Sequence, residues 1–214
     1  MAYYGIKTSA LKFSAKLQKA FESESYDITL ILGPMYHLFT TEDKLKALSE
    51  AIRVTKKDGI VFAAYCMGDA SILSYGFIRG QIYNIIEKCM LDTETFDTFS
   101  NPWDLFELHR KEDIDNLRNQ FHVTQLHFIA TDGYTNHMRE TVDRMDDAIY
   151  ELYLKYHLAT CERQDMIGYS HHTLDIFRKE YRLEESSGYS QSASLLAHNL
   201  ITASRFVRWS LYST

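Results

Sequence analysis

The residues best suited to chemistry stand together in the segment Gly33–His37, GPMYH, which directly follows an apolar, β-branched run. Such a run predicts a parallel strand, and ligands of open α/β sheets bind outside the carboxyl ends of these strands. Imidazole titrates near neutral pH, so His37 could orient a ligand or remove its proton, while Tyr36 could line the pocket. A structural alternative stays open, in which Tyr36 caps the core and His37 makes a hydrogen bond that only supports the fold.

The other histidines do not form a convincing metal-binding set. His171 and His172 are adjacent near a predicted strand start, so their side chains point to opposite faces. His122 and His127 are five residues apart on another predicted strand and also face opposite ways. Because metal ligands must converge, we predict no metal site. His171 alone could still reach a pocket near the GPMYH segment.

The three cysteines, Cys66, Cys89 and Cys161, are scattered and form no C-x-x-C pair. This spacing argues against a disulfide framework or a zinc site and favours reduced thiols in a cytoplasm. Cys66 at a predicted strand end is most simply a small buried apolar residue. The sequence also contains neither a G-x-S-x-G elbow nor a phosphate-binding P-loop.

The charge and hydropathy of the chain exclude two classes of partner. The 214 residues carry a formal net charge of −6, which is the opposite of the basic footprint of a nucleic-acid binder. No uncharged apolar run reaches the roughly 18 residues that predict a membrane span. The first residues, MAYYGIKTSALK, lack the pattern of a signal peptide, so we expect a cytoplasmic protein.

The elements around the GPMYH segment predict a βαβ unit. Tyr26–Gly33 is a continuous apolar run typical of a parallel strand buried on both faces. Thr41–Val54 has acidic residues first, basic residues later and apolar residues at helical spacing, which predicts a helix. Lys56–Gly59 predicts a turn, and Ile60–Cys66 predicts the second strand. A strand–helix–strand unit implies a parallel sheet with a right-handed crossover.

The remaining elements are predicted less sharply. The helix with the clearest apolar stripe covers His137–His157, with Met138, Val142, Met145, Ile149, Leu152 and Tyr156 at steps of four and three. Further predictions are a helix over Asp69–Met90 interrupted near Gly76 or Gly80, a helix over Glu112–Gln120, and strands over Phe121–Ala130 and Thr173–Phe177.

The composition changes after about residue 180. We therefore predict one α/β domain over residues 1–180 and a C-terminal extension over residues 181–214. The extension begins with the linker-like SSGYSQSAS and continues into a weakly amphipathic, possible helix at Leu195–Leu211. It is either a plain extension or fusion scar, or a helix that packs on the body or on a second copy.

The stretch YDITLILGPMYHLFTTEDKLKALSEAIRVTKKDGIVFAAYCM resembles class I S-adenosylmethionine-dependent methyltransferases. More narrowly, it is similar to a bacterial small-molecule subgroup with a G-P-[LM]-Y-H-L segment, here Gly33–Leu38. The matching residues continue through Glu50–Val54 and the turn at Lys56–Gly59, and Glu162–Lys179 is similar to the subgroup's C-terminal strand. The resemblance covers roughly residues 5 to 179.

This resemblance implies a partial Rossmann-like sheet that is mostly parallel, with an antiparallel last strand and flanking helices. It implies S-adenosylmethionine as cofactor and methyl transfer to a small-molecule acceptor. Gly33 and Pro34 would shape the edge of the cofactor site, and Ser9 and Ala10 would flank the adenine. The catalytic candidates beside the acceptor are Tyr36 and His37.

One family feature is missing from the sequence. Members carry a D-x-G-x-G-x-G loop after their first strand, whereas no two of the nine glycines here are separated by a single residue. We therefore expect a chain without the family's first two strands, and two function hypotheses remain. The chain is a methyltransferase, or it is a non-catalytic remnant that serves as an oligomerisation or interaction module. Such a truncation would leave an unpaired strand edge at Tyr26–Gly33, so we expect a homo-oligomer.

Overall fold

A computed structural model describes residues 21–103 and 106–180 of the chain. Within them, one sheet is built from β1 (Tyr26–Ile31), β2 (Thr55–Met67), β3 (Leu108–His109), β4 (Val123–Ala130) and β5 (His172–Lys179). The α-helices are α1 (Thr41–Val54), α2 (Gly68–Ser71), α3 (Ile82–Glu87), α4 (Lys111–Arg118), α5 (Arg139–Val142) and α6 (Asp147–Thr160). Short 3₁₀ turns cover Pro34–His37 and Ile167–Tyr169, and a π-helical segment covers Ile72–Ile78.

The strand order is β1-β2-β5-β4, and the two-residue β3 pairs with the end of β2. β1 and β3 run parallel to β2, whereas β5 runs antiparallel to both β2 and β4. β4 therefore points the same way as β1 and β2, and among the described strands only β5 is reversed. This is the α/β architecture expected from the sequence: a partial Rossmann-like sheet, mostly parallel, with an antiparallel last strand and flanking helices.

The main core lies on one face of the sheet, beneath α1 and α4. Alternate residues of β2, Val61, Ala63 and Tyr65, point to this face and are completely buried. They belong to one apolar cluster that also contains Leu48 of α1 and Ile114 of α4. The alternation follows from the two-residue period of a strand, which sends successive side chains to opposite faces.

The first helix, α1, begins at a strong N-cap. The Thr40 hydroxyl accepts a hydrogen bond from the main-chain N–H of Asp43 at 3.1 Å. Glu42 and Asp43 in the first turn and Arg53 in the last turn complement the helix dipole. The helix ends at Val54 without an intervening loop, because the next residue already begins β2.

The predicted turn at Lys56–Gly59 is wrong in detail, because these residues lie within β2. Tyr26 pairs with Thr55 and Ile28 with Ile60, so the extra residues of β2 bulge out of the ladder. Gly59 is required there: an added Cβ would lie 2.6 Å from a methyl group of Thr55. A bulge holds the extra residues without ending the strand.

The prediction that Tyr26–Gly33 is buried on both faces is also wrong. β1 is an end strand of the sheet formed by the described residues, and its side chains are mostly exposed. Leu30 is 53% exposed and the following Leu32 is 58% exposed, whereas Ile31 is buried in the core. Continuous apolar composition therefore did not indicate burial on both faces here.

The predicted helix over His137–His157 is broken into two. α5 ends at Val142, and α6 begins after Asp146, whose carboxylate accepts a hydrogen bond from the N–H of Ile149 at 2.9 Å. Because the Asp146 side chain caps the start of a new helix, α5 and α6 do not join into one continuous helix. The apolar stripe does not face the core either, because Leu152 is 64% exposed and Tyr156 is 53% exposed.

The helical region after β2 is interrupted as predicted. The π-helical segment ends at Ile78, Gly80 adopts a φ of +68°, and α3 starts at Ile82. The proposed extension over 181–214, and the residues Ser9 and Ala10, lie outside the described residues.

A buried ion pair joins α4 to β5. Arg118 donates two hydrogen bonds to Asp175, at 3.0 and 3.2 Å, and Asp175 has no solvent exposure. Gln125 on β4 donates a third hydrogen bond to the same carboxylate at 3.0 Å. Burial raises the pKa of Asp175, and the Arg118 charge opposes that rise. The buried Asp175 carboxylate therefore has both a cation and a further hydrogen-bond donor beside it, so its charge is compensated.

Candidate active site

The GPMYH segment forms a tight corner at the carboxyl end of β1. Gly33 has a φ of +128°, a region that side chains rarely adopt, and Pro34 starts the 3₁₀ turn that follows. Met35 is completely buried in the core and anchors this turn. Tyr36 and His37 are consequently held half-buried at the rim of the sheet.

The rings at this corner pack against a segment that sequence analysis did not single out. The centroid of Tyr36 lies 5.3 Å from that of Phe106, with the two rings nearly perpendicular. The centroid of His37 lies 5.4 Å from the same ring and 5.1 Å from Tyr36. These edge-to-face and tilted contacts are favourable for aromatic rings and fix the direction of both candidate side chains.

Phe106 is held in place by the residues that follow it. The main-chain N–H of Glu107 donates to the carbonyl oxygen of Tyr36 at 2.9 Å. The Glu107 carboxylate also forms an ion pair with Lys44 of α1 at 2.6 Å, and both side chains are largely buried. The next two residues form β3, which pairs with Cys66 and Met67 at the end of β2.

A second histidine reaches the corner from the other side. His172 opens β5, and because β5 is antiparallel, its first residue lies at the rim where β1, β2 and β4 end. The centroid of its ring is 6.4 Å from that of Tyr36. His172 Nδ1 is 3.1 Å from Oδ2 of Asp132, which follows the end of β4. The rim therefore contains a tyrosine, two histidines and a carboxylate.

The Asp132 carboxylate is fixed by several donors. It accepts hydrogen bonds from the main-chain N–H of His172 at 3.1 Å and from the side-chain amide of Asn136 at 2.6 Å. The hydroxyl of Ser170 donates to it as well. With its oxygens held in this way, Asp132 determines which ring nitrogen of His172 carries a hydrogen bond.

The two rim histidines have opposite electrostatic character. Burial lowers the pKa of His37, so its imidazole is neutral near pH 7. The hydrogen bond to Asp132 and the neighbouring Cys66 thiol raise the pKa of His172 to about 10, so its ring is protonated. Burial would raise the pKa of Asp132, but the hydrogen bond and charge of His172 outweigh it and lower that pKa. Burial and Cys66 raise the pKa of Tyr36.

The structure thus places Gly33, Pro34, Tyr36 and His37 together in one corner. It adds Phe106, Asp132 and His172, which sequence analysis missed as site residues. Two of these had a usable signal: Asp132 follows the carboxyl end of a predicted strand, and His172 precedes a strand that could run antiparallel. No sequence signal marked Phe106, because the strand that follows it, β3, has only two residues and therefore shows no periodicity.

No group of three side chains suited to a metal ion occurs in residues 21–103 and 106–180. His171, which was considered as a pocket residue, shares a hydrogen bond between its Nε2 and the Ser74 hydroxyl at 2.5 Å. Within the described part of the chain, no helix is both long enough and apolar enough to cross a membrane.

No protein-family model matches the sequence. No curated protein matches it either. Among solved structures, the similar ones include S-adenosylmethionine-dependent methyltransferases. One, from Methanosarcina mazei, is 12% identical with a TM-score of 0.42, over 76% of this chain and 63% of that chain.

Two further solved structures give lower scores. The cyclopropane synthase MmaA2 from Mycobacterium tuberculosis is 17% identical with a TM-score of 0.36, over 75% of this chain and 57% of that chain. Phosphoethanolamine N-methyltransferase 2 from Haemonchus contortus, solved with S-adenosyl-L-methionine, is 14% identical with a TM-score of 0.32. The match covers 75% of this chain and 35% of that chain. This chain spans less than two thirds of each of these three proteins. The fold class rests on the strand order and registers described above.

Proposed function

We propose that the chain belongs to an S-adenosylmethionine-dependent methyltransferase that acts on a small-molecule acceptor at the carboxyl rim of the sheet. The observation that carries this proposal is the corner itself. The GPMYH segment lies at the end of a parallel strand, and Tyr36 faces His172 there, whose ring is in turn hydrogen-bonded to Asp132. Open α/β sheets bind their ligands at this position.

The electrostatics assign different roles to the two histidines. His37 is neutral near pH 7 and can accept the proton of an acceptor hydroxyl or amine through a ring nitrogen. His172 is already protonated and cannot act as that base, so it supplies positive charge beside Tyr36. Tyr36 and Phe106 form the wall that orients the acceptor. Methyl transfer is an in-line displacement, so orientation is the main contribution required of the protein.

S-adenosylmethionine would supply an electrophilic methyl group on a sulfonium cation. The ring faces at Tyr36 and Phe106 suit such a cation. Gly33 brings main chain to the rim, but no second glycine stands within two residues of it, so the glycine-rich cradle of dinucleotide sites is not formed there. The described residues therefore fit the methyl-bearing end of the cofactor.

The compartment and the partners are also part of this proposal. An acidic chain with a net charge of −6 is suited to a small acceptor in a cytoplasm rather than to a nucleic acid or a membrane surface. The bacterial subgroup suggested by the GPMYHL segment stays a prediction.

Isothermal titration of the full chain with S-adenosylmethionine and S-adenosylhomocysteine tests this proposal. We expect a Kd of about micromolar size, equivalent to roughly 8 kcal/mol of binding free energy. Gly33→Ala should weaken binding at least about tenfold, because its φ of +128° strains any side chain. Gly80→Ala is the matched control, since Gly80 has a positive φ of +68° but lies between the π-helical segment and α3. Absence of heat with the wild type, or equal weakening by both variants, would contradict the proposal.

A non-catalytic oligomerisation module is the second candidate, and the exposed side chains of β1 favour it. Tyr26, Ile28 and Leu30 on this end strand are each at least 38% exposed, and so is Leu32, which directly follows it. An apolar strand at the end of a sheet is a template for pairing with a second copy.

Sedimentation velocity tests this second candidate. We expect a dimer of the wild-type chain at micromolar concentration and a monomer for Leu30→Lys. Leu152→Lys is the matched control, because Leu152 is also an exposed leucine, at 64%, but lies on α6. A monomeric wild type, or dissociation by both variants, would exclude pairing through β1.

A further inference from the structure

A thiol lies next to the histidine and carboxylate of the rim. Cys66 on β2 and His172 on β5 are directly opposite partners in the antiparallel ladder. Opposite residues of an antiparallel pair project to the same face, with Cβ atoms about 4.5–5.5 Å apart. The Cys66 side chain is therefore adjacent to the imidazole of His172.

The orientation of that imidazole is fixed on its far side. Nδ1 of His172 is engaged by Asp132 at 3.1 Å, which leaves Nε2 as the nitrogen available to the thiol. The electrostatics agree with contact, because Cys66 contributes to the raised pKa of His172 and to that of Tyr36. A thiol, an imidazole and a carboxylate in this order form the arrangement that activates cysteine nucleophiles.

We propose that Cys66, His172 and Asp132 form a thiol-exchange site that reacts with small disulfides entering from the carboxyl rim. The thiol of Cys66 releases its proton to solvent, and the protonated imidazole of His172 stabilises the resulting thiolate, which attacks one sulfur of the disulfide. A new sulfur–sulfur bond forms at Cys66 as the bond of the incoming disulfide breaks. The departing thiolate takes a proton from solvent. Cys66 is oxidised to a mixed disulfide and the incoming disulfide is reduced to one thiol.

The burial of these residues determines which reagents can enter. Cys66 is only 4% exposed, whereas the His172 side chain is 36% exposed. A reagent therefore reaches the thiol from the His172 side, and compact disulfides have the advantage over bulky ones. The group transferred to Cys66 would lie beside Tyr36. This site goes beyond the proposed methyl transfer and does not depend on it.

Cys161 provides a matched control within the same chain. It is as buried as Cys66, at 3% exposure, and is also a free thiol. Burial and the Glu162 carboxylate raise the pKa of Cys161, which makes it a poor nucleophile. Cys89 is exposed and would react without any activation, so it is replaced by serine in the test protein.

The experiment exposes the full Cys89→Ser chain to oxidised β-mercaptoethanol, a compact uncharged disulfide. Peptide mass spectrometry then follows mixed-disulfide formation at Cys66 and Cys161 separately. We expect Cys66 to react at least about tenfold faster than Cys161 near neutral pH. Similar rates at the two cysteines would overturn the proposal.

The positioning role of Asp132 is tested by Asp132→Asn, with circular dichroism as the check on folding. Below its pKa, an isolated thiol reacts roughly tenfold faster for each unit by which the pH rises, whereas a thiolate paired with a protonated imidazole loses most of that dependence. We expect a shallow pH–rate profile for the wild type and a steep one for Asp132→Asn. A purely structural role of Asp132 would leave the slope unchanged and would contradict the proposal.

The wild-type profile decides the matter if Asp132→Asn does not fold. The titratable groups around the pair are Asp132, Tyr36 and His171, and burial lowers the pKa of His171 to about 4. Burial likewise lowers the pKa of His109, whose strand pairs beside Cys66, to about 3. His37 also lies at this corner, and burial lowers its pKa below 6.5. None of these groups titrates between about pH 7 and 8. A steep wild-type profile in that range therefore refutes the pairing of the Cys66 thiolate with protonated His172.

Discussion

His109→Leu should remove a large part of the acid sensitivity of this protein. His109 on β3 is 3% exposed, and neither ring nitrogen has a hydrogen-bond partner among the described residues. Burial, followed by the charge of Lys44, lowers the pKa of His109 to about 3. The ring is therefore neutral in the folded state, whereas an unfolded histidine titrates near pH 6.5.

The sign and size of the effect follow from linkage. Below about pH 6.5 the unfolded chain binds a proton at His109 that the folded chain does not bind, so stability falls as the pH decreases toward the folded-state pKa. Each pH unit in this window corresponds to about 1.4 kcal/mol, so His109 alone accounts for a loss of roughly 2 kcal/mol between pH 8 and pH 5.

Urea unfolding followed by circular dichroism, at about pH 8 and pH 5, measures this quantity for each protein. We expect the wild type to lose roughly 2 kcal/mol more than His109→Leu between the two conditions, whatever the variant does to stability at pH 8. His122→Leu, at an exposed histidine, is the control and should behave as the wild type does. An equal loss in His109→Leu and wild type would refute the neutral, buried state assigned to this ring.

Three further measurements test other parts of the fold. Arg118→Met leaves the fully buried Asp175 carboxylate without its cation and should cost about 3–5 kcal/mol in urea unfolding; a loss below about 1 kcal/mol would contradict the buried pair. Thr40→Ala should cost about 1 kcal/mol by removing the N-cap of α1, and Thr40→Ser should restore most of it. The pKa of His172 is raised to about 10, so its stabilisation is complete below about pH 6.5 and is lost as the pH rises through 10. Urea unfolding of His172→Gln should therefore lack the alkaline loss seen in the wild type, and an identical loss would refute the assignment.

Local sequence signals predicted the elements that they control. α1 matched its prediction residue for residue, because its N-cap and its charge order are properties of its own segment. The strands β2, β4 and β5 were found from their apolar, β-branched runs, although β2 begins earlier than predicted and β5 extends further at both ends. The corner at Gly33–His37 was placed at a strand end for the same reason.

The failures have tertiary causes. The stripe over His137–His157 has the period of a helix, but nothing in that pattern shows that Asp146 caps a new helix or that Leu152 stays exposed. The apolar content of β1 could not indicate its place at the end of the described sheet. His172 lies at the rim because β5 runs antiparallel, a direction that the family resemblance implied but that no local pattern encodes.

The ion pair between Lys44 and Glu107 has an evolutionary consequence. It ties α1 to the segment that carries Phe106, and through Glu107 to the main chain of Tyr36. Losing either charge alone would leave the other buried without a partner, which would strongly destabilise the fold. We expect the two positions to co-vary among homologous sequences, with opposite charges kept in both or neutral residues introduced in both. Substitutions in the segment around Phe106 are thus coupled to substitutions in α1, although α1 contributes no side chain to the candidate catalytic pair of Tyr36 and His37.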